Sequence, residues 1–277
     1  MKFNKLITSI GLTVGSVLFV SNSAQAASFT SNVSKSESDY TTKDILLQSI
    51  EQKDKNGIVQ TFSNFSFVER VGTFSNDKYT GGNSGAASTD RGDNASAPVI
   101  SNEDPTEVQL AKYLGNNNLN NIVDTEDRGT FMMDVFFDSF IEEDNSGLDN
   151  LFFWERGMNS DLSVQAIDDQ GNIIGNAIKL LRKEQQNAGY QINTKEIGGN
   201  QKVGSWGVSL EQLGVTNLSG IQIYADKSFN GPDFKVIARK SSSSPKFAQA
   251  AKVPEPGTII GLGTVAALAF FRRRKSM

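Results

Sequence analysis

The 277-residue chain contains no cysteine and no histidine, and only two tryptophans and six prolines. Without cysteine no disulfide can hold the fold, so burial in a fair-sized apolar core must do it. Without histidine, Ser-His-Asp and Cys-His catalytic sites and the common zinc sites are excluded. The usual acid–base residue near neutral pH is missing as well. Positive charge is sparse, with 27 Lys and Arg against 31 Asp and Glu.

Six of those 27 sit in two short clusters at the ends. Lys2 and Lys5 precede an apolar stretch from Leu6 to Val20, and Ala24-Gln25-Ala26 follows. This order reads as a signal peptide over residues 1–26, with Ala27 as the first mature residue. At the other end Val253-Pro254-Glu255-Pro256 leads into an apolar run from Thr258 to Phe271, then Arg272, Arg273, Arg274 and Lys275. The prolines lack amide donors and fix φ, which keeps the chain extended and accessible to a peptidase. The run has about 14 residues, or about 21 Å as a helix, against a bilayer core of about 30 Å. Snorkelling arginines and local thinning make up part of the gap. The basic cluster suits retention on the cytoplasmic side. A buried core helix competes on length, but such a helix should carry a polar stripe, and none precedes Arg272.

The proline motif, apolar helix and arginine cluster together resemble the PEP-CTERM sorting signal of bacterial surface proteins. The resemblance covers about 25 residues. It implies recognition and removal of the tail by a membrane peptidase, the exosortase. It further implies a membrane anchor before processing and a destination at the cell surface, often alongside exopolysaccharide. The stretches Asn150–Gly157, Trp206–Leu210 and Gly220–Ile223 also resemble exosortase-dependent surface proteins, which supports placement rather than activity.

Setting aside Lys2, Lys5, Arg272–Lys275 and Glu255 leaves 21 basic and 30 acidic residues, a net charge near −9. Such a surface repels phosphates and argues against nucleic acid. It favours solubility outside the cell. The expected organisation is a secreted domain over 27–240, a Ser-rich linker over 241–252 and the sorting signal over 253–277.

Within the secreted part, Asp44–Glu51 and Ile58–Val68 flank Lys53-Asp54-Lys55-Asn56-Gly57, a strong hairpin signal. The first run also admits a helix. Residues 76–98 are rich in Gly, Ser, Asn and Ala without an apolar period and read as a long surface loop. The Arg91-Gly92-Asp93 tripeptide inside it reads as chance. Asp104-Pro105-Thr106-Glu107 reads as a helix start with Asp104 as cap, and Gly115 as its end. A second short helical turn is expected over Asn118–Val123.

From Thr130 the chain reads as strands: 130–137, 150–155, 163–167, 172–180, 190–196, 202–208, 218–225 and 233–238. Asp168–Gly171 is the clearest turn, and Ser209–Gly214 reads as one helical turn closed by glycine. The expected fold is mainly β, a β-sandwich or jelly roll with one or two short helices.

Candidate chemistry is thin. Glu142, Asp144 and Asp149 are a calcium candidate, since calcium takes six to eight oxygens. Read as a twelve-residue calcium loop from Glu142, however, the last position is Phe153 instead of Glu, and a solvated acidic turn is the plainer reading. Glu155 with Glu142 or Glu143 has the residue types of a glycosidase pair, but an ion pair with Arg156 is simpler. Trp154, Trp206, Tyr190 and Tyr224 have the rings to stack on sugars, although each lies in an expected strand, where packing is the simpler role. These observations lead to a non-catalytic surface or matrix protein, with a carbohydrate-binding module for exopolysaccharide as the alternative.

Overall fold

The computed structural model describes residues 29–34, 44–78, 85–93, 95–96, 103–144 and 146–240. The expected signal peptide (1–26), linker (241–252) and sorting tail (253–277) lie outside them. Among the described residues no helix is long and apolar enough to cross a membrane.

The expected hairpin is present. β1 (Phe29–Val33) pairs with β2 (Leu47–Lys53), which turns back antiparallel into β3 (Val59–Phe62). Asp54 makes the turn by accepting from the Asn56 and Ile58 amides. Gly57 supplies a φ of 78°, which a side chain would resist. The run Ile58–Val68 is not one strand: after β3 it breaks into β4 (Phe65–Ser66) and enters β5 (Val68–Asn76).

Three expectations in the next segment are corrected. The 76–98 segment is not all loop, because Ala87–Arg91 forms β6. Its buried residues, Ala87 and Thr89, are small, so no apolar period marks it. The helix α1 (Glu107–Leu114) is capped by Thr106, not Asp104. Thr106 and Gln109 satisfy each other's backbone amides reciprocally, a capping box that Asp104 cannot form with Glu107. Gly115 ends the helix as expected. Finally, Asn121–Thr125 is strand β7, not a helical turn. Its β-branched Ile122 and Val123 pack on opposite faces of a sheet, in separate apolar clusters.

All eight strands expected from Thr130 onward form. They are β8 (Phe131–Glu142), β9 (Leu151–Arg156), β10 (Leu162–Ile167), β11 (Ile173–Leu180), β12 (Gln186–Ile192), β13 (Gln201–Val208), β14 (Asn217–Ala225) and β15 (Asp233–Arg239). β12 starts and ends four residues early, since the polar Gln186 and Asn187 pair with Ser205 and Gly204 at the sheet edge. The Asp168 carboxylate accepts from the Gln170 and Asn172 amides to close the β10–β11 turn. Ser209 caps α2 (Leu210–Leu213), and Gly214 ends it in the left-handed conformation.

The strands form three antiparallel sheets: β1-β2-β3, β11-β10-β14-β8-β5, and β12-β13-β9-β15-β7-β6 with β4 added beside β15. Side-chain alternation shows how they stack. Leu151 and Phe153 of β9 join one apolar cluster with Val135, Phe137, Leu162 and Ile221 of the five-stranded sheet. Phe152 and Trp154, pointing the other way, join a second cluster with Phe29, Leu47 and Ile50 of the three-stranded sheet. The larger two sheets thus form a sandwich, and the small sheet adds a third layer. The middle sheet is covered on both faces, which explains why all six residues of β9 are buried and why Leu-Phe-Phe-Trp shows no alternation.

Close approach between layers depends on glycine at Gly207. A Cβ there would lie 1.8 Å from the Asp149 carboxylate, which Gln52 of β2 binds through its side chain. Gly207→Ala is therefore expected to cost about 1–3 kcal/mol by overpacking in urea unfolding. Gly198→Ala, whose Cβ meets open space, should change stability by no more than about 0.5 kcal/mol. Equal effects at both positions would contradict the proposed contact between layers.

Candidate functional site

Strand register brings charge together on the middle sheet. Arg156 of β9 pairs with Asp233 of β15, and Phe234 pairs with Val123 of β7. Asp124 therefore stands beside Asp233 on the face carrying Arg156. β6 continues the row, with Asp90 opposite Ile122. The Asp233 Oδ2 accepts from Arg156 Nε at 3.0 Å and lies 2.9 Å from Nη2, which also lies 3.1 Å from Asp124. Arg156 Nη1 donates to Thr194 at 2.6 Å and lies 3.5 Å from Asp90. Arg156, Asp124 and Asp233 border a cleft of about 370 Å³ that Glu196 and Gln201 also line.

Burial governs the protonation of this group. It raises the Asp90 carboxyl to about 6 despite the opposing pull of Arg156. It raises Asp124 well above the usual range, with the neighbouring Asp233 adding to the effect. Asp233 is raised too, against the pull of Arg156. The three surrounding carboxylates hold Arg156 charged in spite of its burial. Asp90, Asp124 and Glu196 offer oxygens within 4.8 Å of one another. Such a set suits a hard cation, but Arg156 already places positive charge among these carboxylates. Sequence reasoning missed this cluster. The signal was a charged residue within or ending each of several apolar strands, as in Ile122-Val123-Asp124.

The sequence-derived candidates fall elsewhere. Trp154 and Trp206 are each 1% exposed and belong to the two apolar clusters. Their indole N–H groups donate to Ser31 Oγ and the Leu181 carbonyl. Neither presents a ring to a sugar, and Tyr190 is buried as well. Tyr224 alone of the four is half-exposed. The calcium candidates point to separate partners. Asp144 pairs with both terminal nitrogens of Arg239. Partial burial pushes Asp144 up, but Arg239 and Ser146 bring it down to about 2. Burial raises Asp149 to about 7 against the hydrogen bond from Gln52, and Glu142 ends β8 opposite Asn217.

Glu155 makes no ion pair with Arg156, because adjacent strand residues face opposite ways. It points to the Gly204 side, where Gln185 Nε2 donates to it at 2.9 Å. Burial raises it to about 8, against the hydrogen bonds from Gln185 and Ser160. Glu142 lies on the other large sheet. Arg91-Gly92-Asp93 is built into the edge of the fold, with Asp93 paired to Lys195 and Arg91 bonded to the Ala95 carbonyl.

The PEP-CTERM protein-sorting motif is found over residues 252–275. No curated protein matches the chain, and no solved structure does. The matched segment contains Val253-Pro254-Glu255-Pro256, the apolar run and Arg272 to Lys275.

Two tests follow from the buried charges. Arg156→Met strands the buried Asp124 and Asp233 and the half-buried Asp90 and should cost about 3–5 kcal/mol in chemical denaturation at pH 7. For Glu155 the folded pKa lies above the unfolded one, so the native state binds more protons between them. Its contribution is therefore lost as pH rises from about 4.5 to about 8. Glu155→Gln should flatten the fall in thermal midpoint across that window. An unchanged pH profile would refute the assignment.

Proposed function

We propose that the chain is a secreted, non-catalytic surface or extracellular-matrix protein, delivered by exosortase through its C-terminal signal. The observation that carries this reading is the sorting motif at 252–275, which implies export and processing at the membrane. The acidic, cysteine-free domain suits it, because a core large enough to cover the middle sheet on both faces needs no disulfide. Cleavage falls near Pro256, and the N-terminal signal is removed after Ala26. The apolar run then serves only until processing, and the tail beyond the cut does not reach the surface.

A second reading, binding to exopolysaccharide, rests on the outer face of the five-stranded sheet instead of on the tryptophans. Gln165, Gln222 and Asp134 stand in register across β10, β14 and β8, and Gln222 donates to Asp134 at 2.9 Å. The half-exposed amides of Gln165 and Gln222 offer hydrogen-bonding edges to a neutral, hydroxyl-rich chain.

Mass spectrometry of C-terminal peptides from cell-surface fractions tests the main reading. The expected result is a terminus near Pro256. Recovery of Arg272–Met277 on the surface protein would overturn it. For the second reading, the purified domain should be retained by the producer's polysaccharide, and Gln222→Ala should weaken retention about tenfold, the effect of roughly 1.4 kcal/mol. Equal passage of both proteins through the polysaccharide would remove it.

A further inference from the structure

β15 runs through the interior of the middle sheet, and six of its seven residues are buried. One of these is Lys235, at 0% exposure. A buried ammonium calls for a carboxylate, but none of the described ion pairs involves Lys235. Its Nζ donates instead to the Tyr113 carbonyl near the end of α1 and lies 3.2 Å from Asn116 Oδ1. Burial holds the amine well below its ordinary pKa, and the neutral form carries the lone pair a nucleophile needs.

The Asn116 carboxamide is set up as the electrophile. Besides Lys235, its Oδ1 accepts from the Asn118 amide at 2.9 Å and from Asn121 Nδ2 at 3.1 Å. Two fixed N–H donors on a carbonyl oxygen stabilise the negative charge that nucleophilic attack places there. Asn116 Nδ2 donates to the Lys112 carbonyl at 2.8 Å and to the Tyr113 carbonyl at 3.2 Å. Lys235 Nζ and Asn116 Nδ2 therefore share the Tyr113 oxygen as acceptor. The amine thus contacts the oxygen carried by the electrophilic Cγ, and the fold already holds the two groups side by side.

We propose that Lys235 and Asn116 join in an intramolecular isopeptide bond. Nζ attacks Cγ, the Cγ–Nδ2 bond breaks, and one ammonia leaves. Nζ enters with two hydrogens: one stays on the new amide, and the other moves to the departing nitrogen past the shared Tyr113 carbonyl. No oxidant or cofactor is needed, and the bond would tie the α1–β7 connection to the innermost strand of a chain without cysteine. The cross-link does not depend on where the protein is sorted.

The test is peptide mapping of the full-length chain, denatured and digested with trypsin. The expected product is a branched peptide in which residues 113–128 are joined to 228–239, uncut after Lys235. It should be lighter than the two peptides combined by one ammonia, about 17 Da. Both sequence ladders should appear in its fragmentation, with the branch at Asn116 and Lys235. The Asn116→Ala chain, folded or not, should release residues 228–235 as an ordinary peptide. Recovery of that free peptide from the wild-type chain at the same yield overturns the proposal. Loss of ammonia confined to the 113–128 peptide, as in cyclisation of an asparagine onto its own backbone, overturns it equally.

Discussion

The middle sheet is covered on both faces, and that condition shapes the rest of the molecule. Strands β9 and β15 lose contact with water above and below, so every polar group on them must find a partner within the protein. Apolar residues fill most positions. Where charge occurs, its partners come from register, from a helix end and from a loop. Arg156 meets Asp233 across a strand pair and Asp124 one strand further on. Lys235 meets carbonyl oxygens near the end of a helix. Glu155, turned to the opposite face, meets an amide from the loop before β12. Arg156, Lys235 and Glu155 thus find different partners, because each points to a different part of the fold.

Much of this was legible from residues alone. The eight later strands follow from apolar runs separated by turns whose Asp and Gly have a definite geometric task, as at Asp168–Gly171. β6 was hidden because its inward positions hold Ala87 and Thr89, which carry no apolar period. The start of α1 was misplaced because Asp104 and Thr106 both suit a cap, and only the reciprocal bonds with Gln109 distinguish them. Two tryptophans in strands were ambiguous between ligand stacking and packing. Trp154 is buried under the third sheet and Trp206 between the two larger ones, and no local pattern encodes either packing. The Arg156 cluster depends on register between strands distant in sequence, which a single chain does not display.

The sorting motif and the folded domain call for opposite properties in one chain. The motif must stay extended and reachable, and two prolines favour that. The domain must survive outside the cell without disulfides, and its three layers supply the burial that does so. The serine-rich stretch beginning at Ser241 separates the two demands in sequence.

The last strand of the fold has a mechanical consequence. β15 ends at Arg239, close in sequence to the segment by which the protein would be attached, and it is an inner strand with β9 on one side and β4 and β7 on the other. Tension entering through the C-terminal side would load neighbours on both sides instead of peeling an edge. The domain would then resist drag at its point of tethering, where a chain ending on a border strand would unzip from that border inward.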